Sequence, residues 1–313
     1  MTKVFIDGKD GTTGLKIFNR FENRSDIEIL TINPNKRKDP DEIKKMIFAS
    51  DVTFLCLPDS AAVEAAALAE GADVKIFDTS TAHRTEKGWA YGFPELSCEF
   101  RSNIQNSSRI AVPGCYASGF ISIVYPLIKS NTISADYPIV CYSVSGYTGG
   151  GKRAIAQYED KNRSKELDSP RQYALTQQHK HLKEMKHISG LIRTPVFSPM
   201  ICDYPCGMVV SVPLFADMLN KKYTKSDIHK IFSEHYAGSD IVKVRPLGYS
   251  ESMIGANNFD GRDDMEIEIN GNDERILITS RFDNLGKGAS GAAIQCLNIA
   301  LGIDEKTGLN IGE

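Results

Sequence analysis

Val4-Phe5-Ile6-Asp7-Gly8-Lys9-Asp10-Gly11-Thr12-Thr13-Gly14 sets a short apolar run against three glycines spaced three residues apart. It reads as a buried strand, a glycine turn and then a helix, the helix carrying Leu15, Ile17, Phe18 and Phe21. Glycine lets a backbone turn tightly and approach a phosphate, and a helix start offers N–H groups outside the helical ladder. The G-x2-G-x2-G spacing differs from the commoner G-x-G-x2-G of dinucleotide sites but serves the same need. Gly8, Gly11, Thr12, Thr13 and Gly14 are therefore candidate phosphate contacts. A plain glycine-rich turn is the competing reading, and the position between a first strand and a first helix favours the nucleotide. Asp7 and Asp10 bracket the first glycines, and carboxylates there would repel a pyrophosphate unless they point away.

The next hundred residues alternate between two periods. Ile27 to Ile32, Val52 to Leu57, Val74 to Phe77 and Arg109 to Val112 read as strands. Helical patterns lie between them, one carrying Ile43, Met46 and Ile47, another running from Ala61 to Ala69. That alternation predicts βαβ units and a parallel, Rossmann-type sheet, an α/β domain. The second strand is followed by Asn33-Pro34-Asn35-Lys36-Arg37-Lys38, with no carboxylate for a ribose 2′-hydroxyl and three clustered cations. Asn33, Lys36 and Arg37 thus point to NADP, a solvated basic loop being the alternative. Pro58 and Ser60 after the third strand, and Ser80 after the fourth, stand where sheet ends meet a ligand.

Beyond residue 130 the pattern changes. Ile139 to Val144, Thr194 to Phe197, Met208 to Pro213, Val242 to Val244, Met265 to Ile269 and Arg275 to Thr279 read as strands, with helices at about 172–186 and 225–236. This predicts an α+β domain with a mixed sheet. Residues 160–168 read as an exposed excursion, and the apolar, alanine-rich helix from about 288 to 301 is expected to pack back on the first domain.

Composition sets the outer limits. The 313 residues carry a formal net charge of −3 and 41% hydrophobic residues. That suits two globular domains and gives no electrostatic support to a nucleic-acid or membrane partner. No apolar run reaches membrane-spanning length and no leader pattern opens the chain, so the expectation is cytoplasmic. The seven cysteines are scattered, which argues against a disulfide framework, and Cys202-x3-Cys206 has no second pair to complete a metal site.

Ala111-Val112-Pro113-Gly114-Cys115-Tyr116-Ala117-Ser118-Gly119 places one cysteine where a strand gives way to a helix. Helix-start amides and the dipole stabilise a thiolate there, so Cys115 is a candidate nucleophile, a buried inert thiol being the bland alternative. Cys56 reads as mid-strand, and Cys141 and Cys296 lie in apolar runs. Gln178-His179-Lys180-His181 supplies two imidazoles at a helix start, two residues apart and so not on one helical face. That argues against a joint metal site and for one histidine facing a cleft. His187, His229 and His235 read as solvated.

Together with DTSTAHR at 78–84, FPEL at 93–96, SGYTGGGK at 145–152, QHKHLKEM at 178–185 and DNLGKGASGAAIQ at 283–295, the PGCYASG stretch resembles the short-form N-acetyl-γ-glutamyl-phosphate reductases. Aspartate-semialdehyde dehydrogenases are the wider relatives. The resemblance implies an NADP-binding domain at 1–117, completed by 285–313, and an inserted catalytic and oligomerisation domain at 118–284. It implies Cys115 as nucleophile, His181 as acid/base with His179 in support, and Asn284, Gly286 and Gly288 closing over the cofactor. Arg84, Ser145 and Lys152 are the candidates for gripping the acyl phosphate. The partners implied are a small-molecule substrate and further copies of the chain, as a homodimer or homotetramer. The expected reaction is NADPH-dependent reduction of the acyl phosphate through a cysteine thioester. The alternatives are a related acyl phosphate (aspartyl or N-acetyl-aminoadipyl), a thiol hydrolase, and a non-catalytic NADP-sensing protein.

Overall fold

A computed structural model describes residues 1–250 and 252–312. They form two compact units, one of residues 1–114 and 289–309, the other of 115–288 and 310 onward. The junction thus falls immediately before Cys115, while the expected 117/118 division lies inside a helix.

The first unit is built on six strands: β1 (Thr2–Asp7), β2 (Ile27–Leu30), β3 (Val52–Leu55), β4 (Lys75–Asp78), β5 (Ala90–Tyr91) and β6 (Arg109–Ala111). They pair in the order β2-β1-β3-β4-β6-β5, and every pairing is parallel. Helices α1 (Thr12–Phe21), α2 (Pro40–Ala49), α3 (Asp59–Leu68) and α4 (Cys98–Asn106) connect them. The order reverses at β1, which has β2 on one side and β3 on the other. In open α/β sheets a ligand crevice opens beyond the strand ends at such a point.

Alternation along the strands feeds two cores. Val4, Ile6, Phe54 and Phe77 pack with α1, α4 and the late helix α9 (Gly291–Leu301). Phe5, Leu55 and Ile76 pack with α2 and α3. The expected return of the last helix to the first sheet is realised through Ala292, Ala293, Ile294, Cys296 and Leu297. The strands end earlier than read: β2 stops at Leu30 and β3 at Leu55, so Cys56 sits beyond its strand, not within it.

The second unit holds helices α5 (Cys115–Lys129), α6 (Gly151–Glu159), α7 (His181–Ser189) and α8 (Lys225–His235). Its strands are β7 (Val140–Gly146), β8 (Arg171–Gln172), β9 (Val196–Cys202), β10 (Met208–Phe215), β11 (Val242–Val244), β12 (Met265–Gly271) and β13 (Arg275–Phe282). They form a mixed sheet in the order β11-β12-β13-β10-β7-β9-β8. Two pairings, β11 with β12 and β7 with β9, are parallel, and the other four are antiparallel.

One expectation is corrected here. The helix read at 172–186 begins only at His181: Ala174 and Gln177 adopt left-handed φ values of 55° and 56°. Gln177 is instead fixed to the backbone of Phe197. The excursion at 160–168 is exposed as expected except at Arg163 and at Leu167, which packs on Tyr147 and Tyr158. The strand β12 alternates as Met265-Glu266-Ile267-Glu268-Ile269. Glu266 and Glu268 are buried on Arg281, at 2.8 and 3.2 Å, and Glu266 also pairs with Arg245.

Candidate active site

The glycine turn lies over the crevice beyond β1 and β3. Gly8 has φ +82°, and a Cβ there would come within 2.3 Å of the Cys56 carbonyl oxygen. Only glycine serves at that position. Gly11 is the N-cap of α1, while Thr12, Thr13 and Gly14 form its first turn. The N–H groups of such a first turn lie outside the helical ladder. A cavity of about 460 Å³ is lined by residues 7–11, by Cys56, Leu57 and Pro58, and by Arg37 and Lys38. A tight turn, free helix-start amides and flanking cations fit a dinucleotide phosphate.

The basic loop is more engaged than its sequence conveys. Lys36 bonds Glu42 at 2.9 Å, and Arg37 bonds Asp10 at 2.6 Å. Asp10 therefore turns towards a cation. Asn33 accepts from the Asn35 N–H and caps the short turn Pro34–Lys36. Pro58 occupies the N-cap position of α3 without a side-chain cap bond, and Ser60 is exposed on its first turn. Ser80 is turned inward, its N–H and hydroxyl both donating to Asp78. The same carboxylate meets His83 Nδ1 at 2.6 Å, and His83 stacks on Trp89 with ring centroids 4.0 Å apart. Arg84 is buried, with Nε on the Val112 carbonyl and Nη2 on the Thr79 carbonyl, each at 2.9 Å. Those bonds pin the loop after β4 to the end of β6.

In the second unit, Cys115 is the first residue of α5 and half-buried. Tyr116 is buried, and its ring is the hub of an aromatic cluster. Phe197 lies 5.3 Å from it, His179 5.9 Å, His181 6.1 Å and Tyr173 6.3 Å. The two imidazoles are 4.8 Å apart, edge to face. The Tyr116 hydroxyl is hydrogen-bonded to Ser145 and to Tyr173. Burial drives both phenols well above their ordinary range, and a Cys115 anion raises them further.

The histidines differ in office. His179 Nδ1 accepts the His181 backbone N–H at 3.1 Å. Burial, helped by Lys180, lowers the His179 imidazole to about 4. His181 opens α7 and is itself buried. Of the three histidines expected to be solvated, only His187 is exposed; His229 is half-buried with Nε2 3.0 Å from the Arg245 carbonyl, and His235 is half-buried and lowered by burial.

Gly288 lies against the thiol residue: a Cβ there would stand 2.9 Å from Cys115 Cβ. Asn284 is buried, Oδ1 accepting from Gly207 N–H and Nδ2 donating to Thr148. A Cβ on Gly286 would strike the Arg262 carbonyl. Ser145 lies buried on β7, and Lys152 is exposed on α6. Cys206 has Asp260 and Asp283 near it, one candidate ligand atom from each lying within 4.8 Å of the others. Both Asp283 oxygens already accept backbone N–H groups, from Gly261 and Leu285.

The Tyr116 and Tyr173 contacts, the Asp78 network and the unpartnered Oδ2 of Asp7 are not legible in the sequence. Tyr116, Asp78 and Asp7 lie within the quoted stretches, but their partners are set by the register of the turns and strands.

A parallel Rossmann-type sheet with a glycine turn, a helix-start cysteine and paired imidazoles thus occur together in one chain. Residues 3–106 match the family model "semialdehyde dehydrogenase, NAD binding domain", and residues 115–284 match "semialdehyde dehydrogenase, dimerisation domain". Over 318 residues the chain is 42% identical to N-acetyl-gamma-glutamyl-phosphate reductase 2 of Nostoc sp., covering 98% of this chain and 99% of that protein. It is 43% identical over 306 residues to N-acetyl-gamma-glutamyl-phosphate reductase of Brucella ovis, covering 96% and 99%. The fold is that of aspartate semialdehyde dehydrogenase II of Vibrio cholerae in its crystal structure with ASA (TM-score 0.70, 13% identity, 96% of this chain and 98% of that one). The chain belongs to the semialdehyde dehydrogenase family and, within it, to the N-acetyl-γ-glutamyl-phosphate reductases.

Proposed function

We propose that this chain reduces N-acetyl-γ-glutamyl phosphate to N-acetyl-glutamate semialdehyde and phosphate with NADPH, in arginine biosynthesis. The carrying observation is Cys115 at a helix start beside a cluster of two phenols and two imidazoles, of which Tyr116 and His181 are buried. Cys115 attacks the acyl carbon, a C–S bond forms, and the carbonyl oxygen becomes an oxyanion within reach of the first amides of α5. Collapse breaks the carbon–phosphate oxygen bond, releases phosphate and leaves a thioester on Cys115. Bound NADPH supplies the hydride that takes the acyl group to the aldehyde level. His181 delivers the proton the net reaction consumes, and the returning thiolate frees the aldehyde. His179 stays neutral and orients α7. Ser145 and Lys152 are the second unit's candidates for the phosphate, and Arg84 holds its own loop.

Gly8, Gly11 and the first turn of α1 would hold the pyrophosphate, with Arg37 and Lys38 beside the 2′-phosphate. The missing carboxylate after β2 and those two cations in the crevice favour NADP over NAD. Asn284, Gly286 and Gly288 are assigned to the segment beside the nicotinamide.

A homodimer or homotetramer forms through the open face of the second unit's sheet, where Val140, Tyr142, Val196 and Phe215 are 38–56% exposed. Among the described residues no helix is long and apolar enough to cross a membrane. The assignment is to the cytoplasm.

The test is the reverse reaction: NADP-dependent oxidation of N-acetyl-glutamate semialdehyde with phosphate present, against aspartate semialdehyde and N-acetyl-aminoadipate semialdehyde. Turnover confined to the first substrate is expected. Turnover of another substrate reassigns the acyl group. NADP binding without any turnover points to a sensor.

A further inference from the structure

The crevice beyond β1 and β3 holds one group that neither the glycine turn nor the thiol chemistry uses. Asp7, the last residue of β1, is only 7% exposed, and its Oδ2 has no hydrogen-bond partner. The Gly8 backbone N–H supplies one bond to the carboxyl, but burial dominates and raises it to about 6. Val4 and Ile6 feed the core under α1 and α9, and Phe5 feeds the core under α2 and α3. By strand alternation Asp7 therefore faces the α2/α3 side. There it lines a cavity of about 610 Å³ together with Leu57, Pro58, Ala61, Arg37 and Lys38. Glu64 on α3 lines the same cavity, and Asp10 is bonded to Arg37.

A buried carboxyl with one bare oxygen is costly unless something supplies a donor. A phosphate cannot, because its outer oxygens are acceptors and carry the same sign of charge. A nucleoside can, through a sugar hydroxyl or a base amine. Asp7 adjoins Gly8, where the backbone is shaped for close approach to a phosphate, and the sugar is the part of a nucleotide bonded to its phosphate. In a 2′-phosphorylated dinucleotide the adenosine sugar keeps one hydroxyl, at the 3′ position.

We propose that Asp7 is a specificity residue for the nucleotide and accepts a hydrogen bond from the 3′-hydroxyl of its adenosine ribose. The inference rests on the NADP reading above. It moves the acidic ribose contact from the end of the second strand, where this chain has Asn33 and cations, to the end of the first. The bond to the sugar leaves the turn amides and the cations to the phosphates.

The experiment is calorimetric titration of the whole protein with adenosine 2′,5′-bisphosphate, its 3′-deoxy analogue and its inosine counterpart. Wild type is expected to bind the 3′-deoxy analogue about 10- to 100-fold more weakly, the range for a hydrogen bond to a charged group. In Asp7→Ala that ratio falls to about 3-fold or less, and Asp7→Asn, which keeps an acceptor oxygen, lies between. Equal affinities on wild type, or a ratio unchanged in Asp7→Ala, overturn the inference. The wild-type comparison decides it even if a variant fails to fold. A loss confined to the inosine compound moves the contact to the base amine and overturns the sugar assignment. Failure of wild type to bind either the bisphosphate or NADP overturns the cofactor reading itself.

Discussion

The His181 backbone N–H donates to His179 Nδ1 at 3.1 Å, so one imidazole caps the helix that presents the other. The bond fixes the His179 proton on Nε2, and the lowering to about 4 keeps the ring neutral through the physiological range. We expect His181→Asn to lower kcat by about 10²- to 10⁴-fold, the usual loss when a general acid is removed. His179→Asn, which keeps an acceptor, should retain most activity and leave both limbs of the pH–rate profile in place. Steady-state kinetics from pH 5.5 upward separate these outcomes. A lost limb in His179→Asn would reverse the two roles.

Asp7 gives the apoprotein a signed pH dependence. Its folded pKa of about 6 stands above the unfolded carboxylate value, so folding favours the protonated form. The ionised carboxyl therefore costs stability in full above pH 6, and the cost fades as pH falls through 6 towards 4. Asp7→Asn should be more stable than wild type at pH 8 by at most about 3 kcal/mol, the free-energy equivalent of a carboxyl raised to about 6. The gap should close near pH 4. Thermal melts of cofactor-free protein at the two pH values measure it.

Arg281 holds two buried carboxylates, Glu266 at 2.8 Å and Glu268 at 3.2 Å. Arg281→Met leaves Glu268 without its cation and Glu266 with Arg245 alone. Breaking a buried pair from one side costs about 3–5 kcal/mol. Adding Glu268→Gln should recover part of that loss. Urea unfolding of both variants is the measurement, and an unchanged midpoint for Arg281→Met would mean the cluster is relieved by solvent.

Val140 pairs with Val196 in register on adjacent strands, and both are exposed. If this face joins copies of the chain, Val140→Glu with Val196→Glu places like charges across a dry contact. The expected result is a single-chain species in sedimentation equilibrium where wild type is an oligomer. Retained assembly moves the interface elsewhere.

The parallel sheet was legible because its strands are buried on both faces and read as continuous apolar runs. The Cys115 environment was legible because a glycine before and small residues after it mark a strand-to-helix junction. What was hidden depended on pairing across the chain. Glu266 and Glu268 alternate with isoleucines as surface residues would, and only the register with Arg281 on β13 makes burial tolerable. Helical periodicity around residue 175 gave no sign that Gln177 spends its amide on Phe197. Arg84 read as a phosphate ligand because sequence cannot tell a cation facing solvent from one holding two carbonyls.

The first unit's core includes Ala292, Ala293, Ile294, Cys296 and Leu297 from α9, and Gln295 on the same helix bonds Glu95. During synthesis, residues 1–114 leave the ribosome with that side of their sheet uncovered. They must wait while the 174 residues of the continuous segment 115–288 are made. The second unit gains nearly all of its chain first. The half of the protein translated earliest is thus the last to close, and until it does its exposed apolar strands are the nascent chain's point of exposure to chaperones and to aggregation.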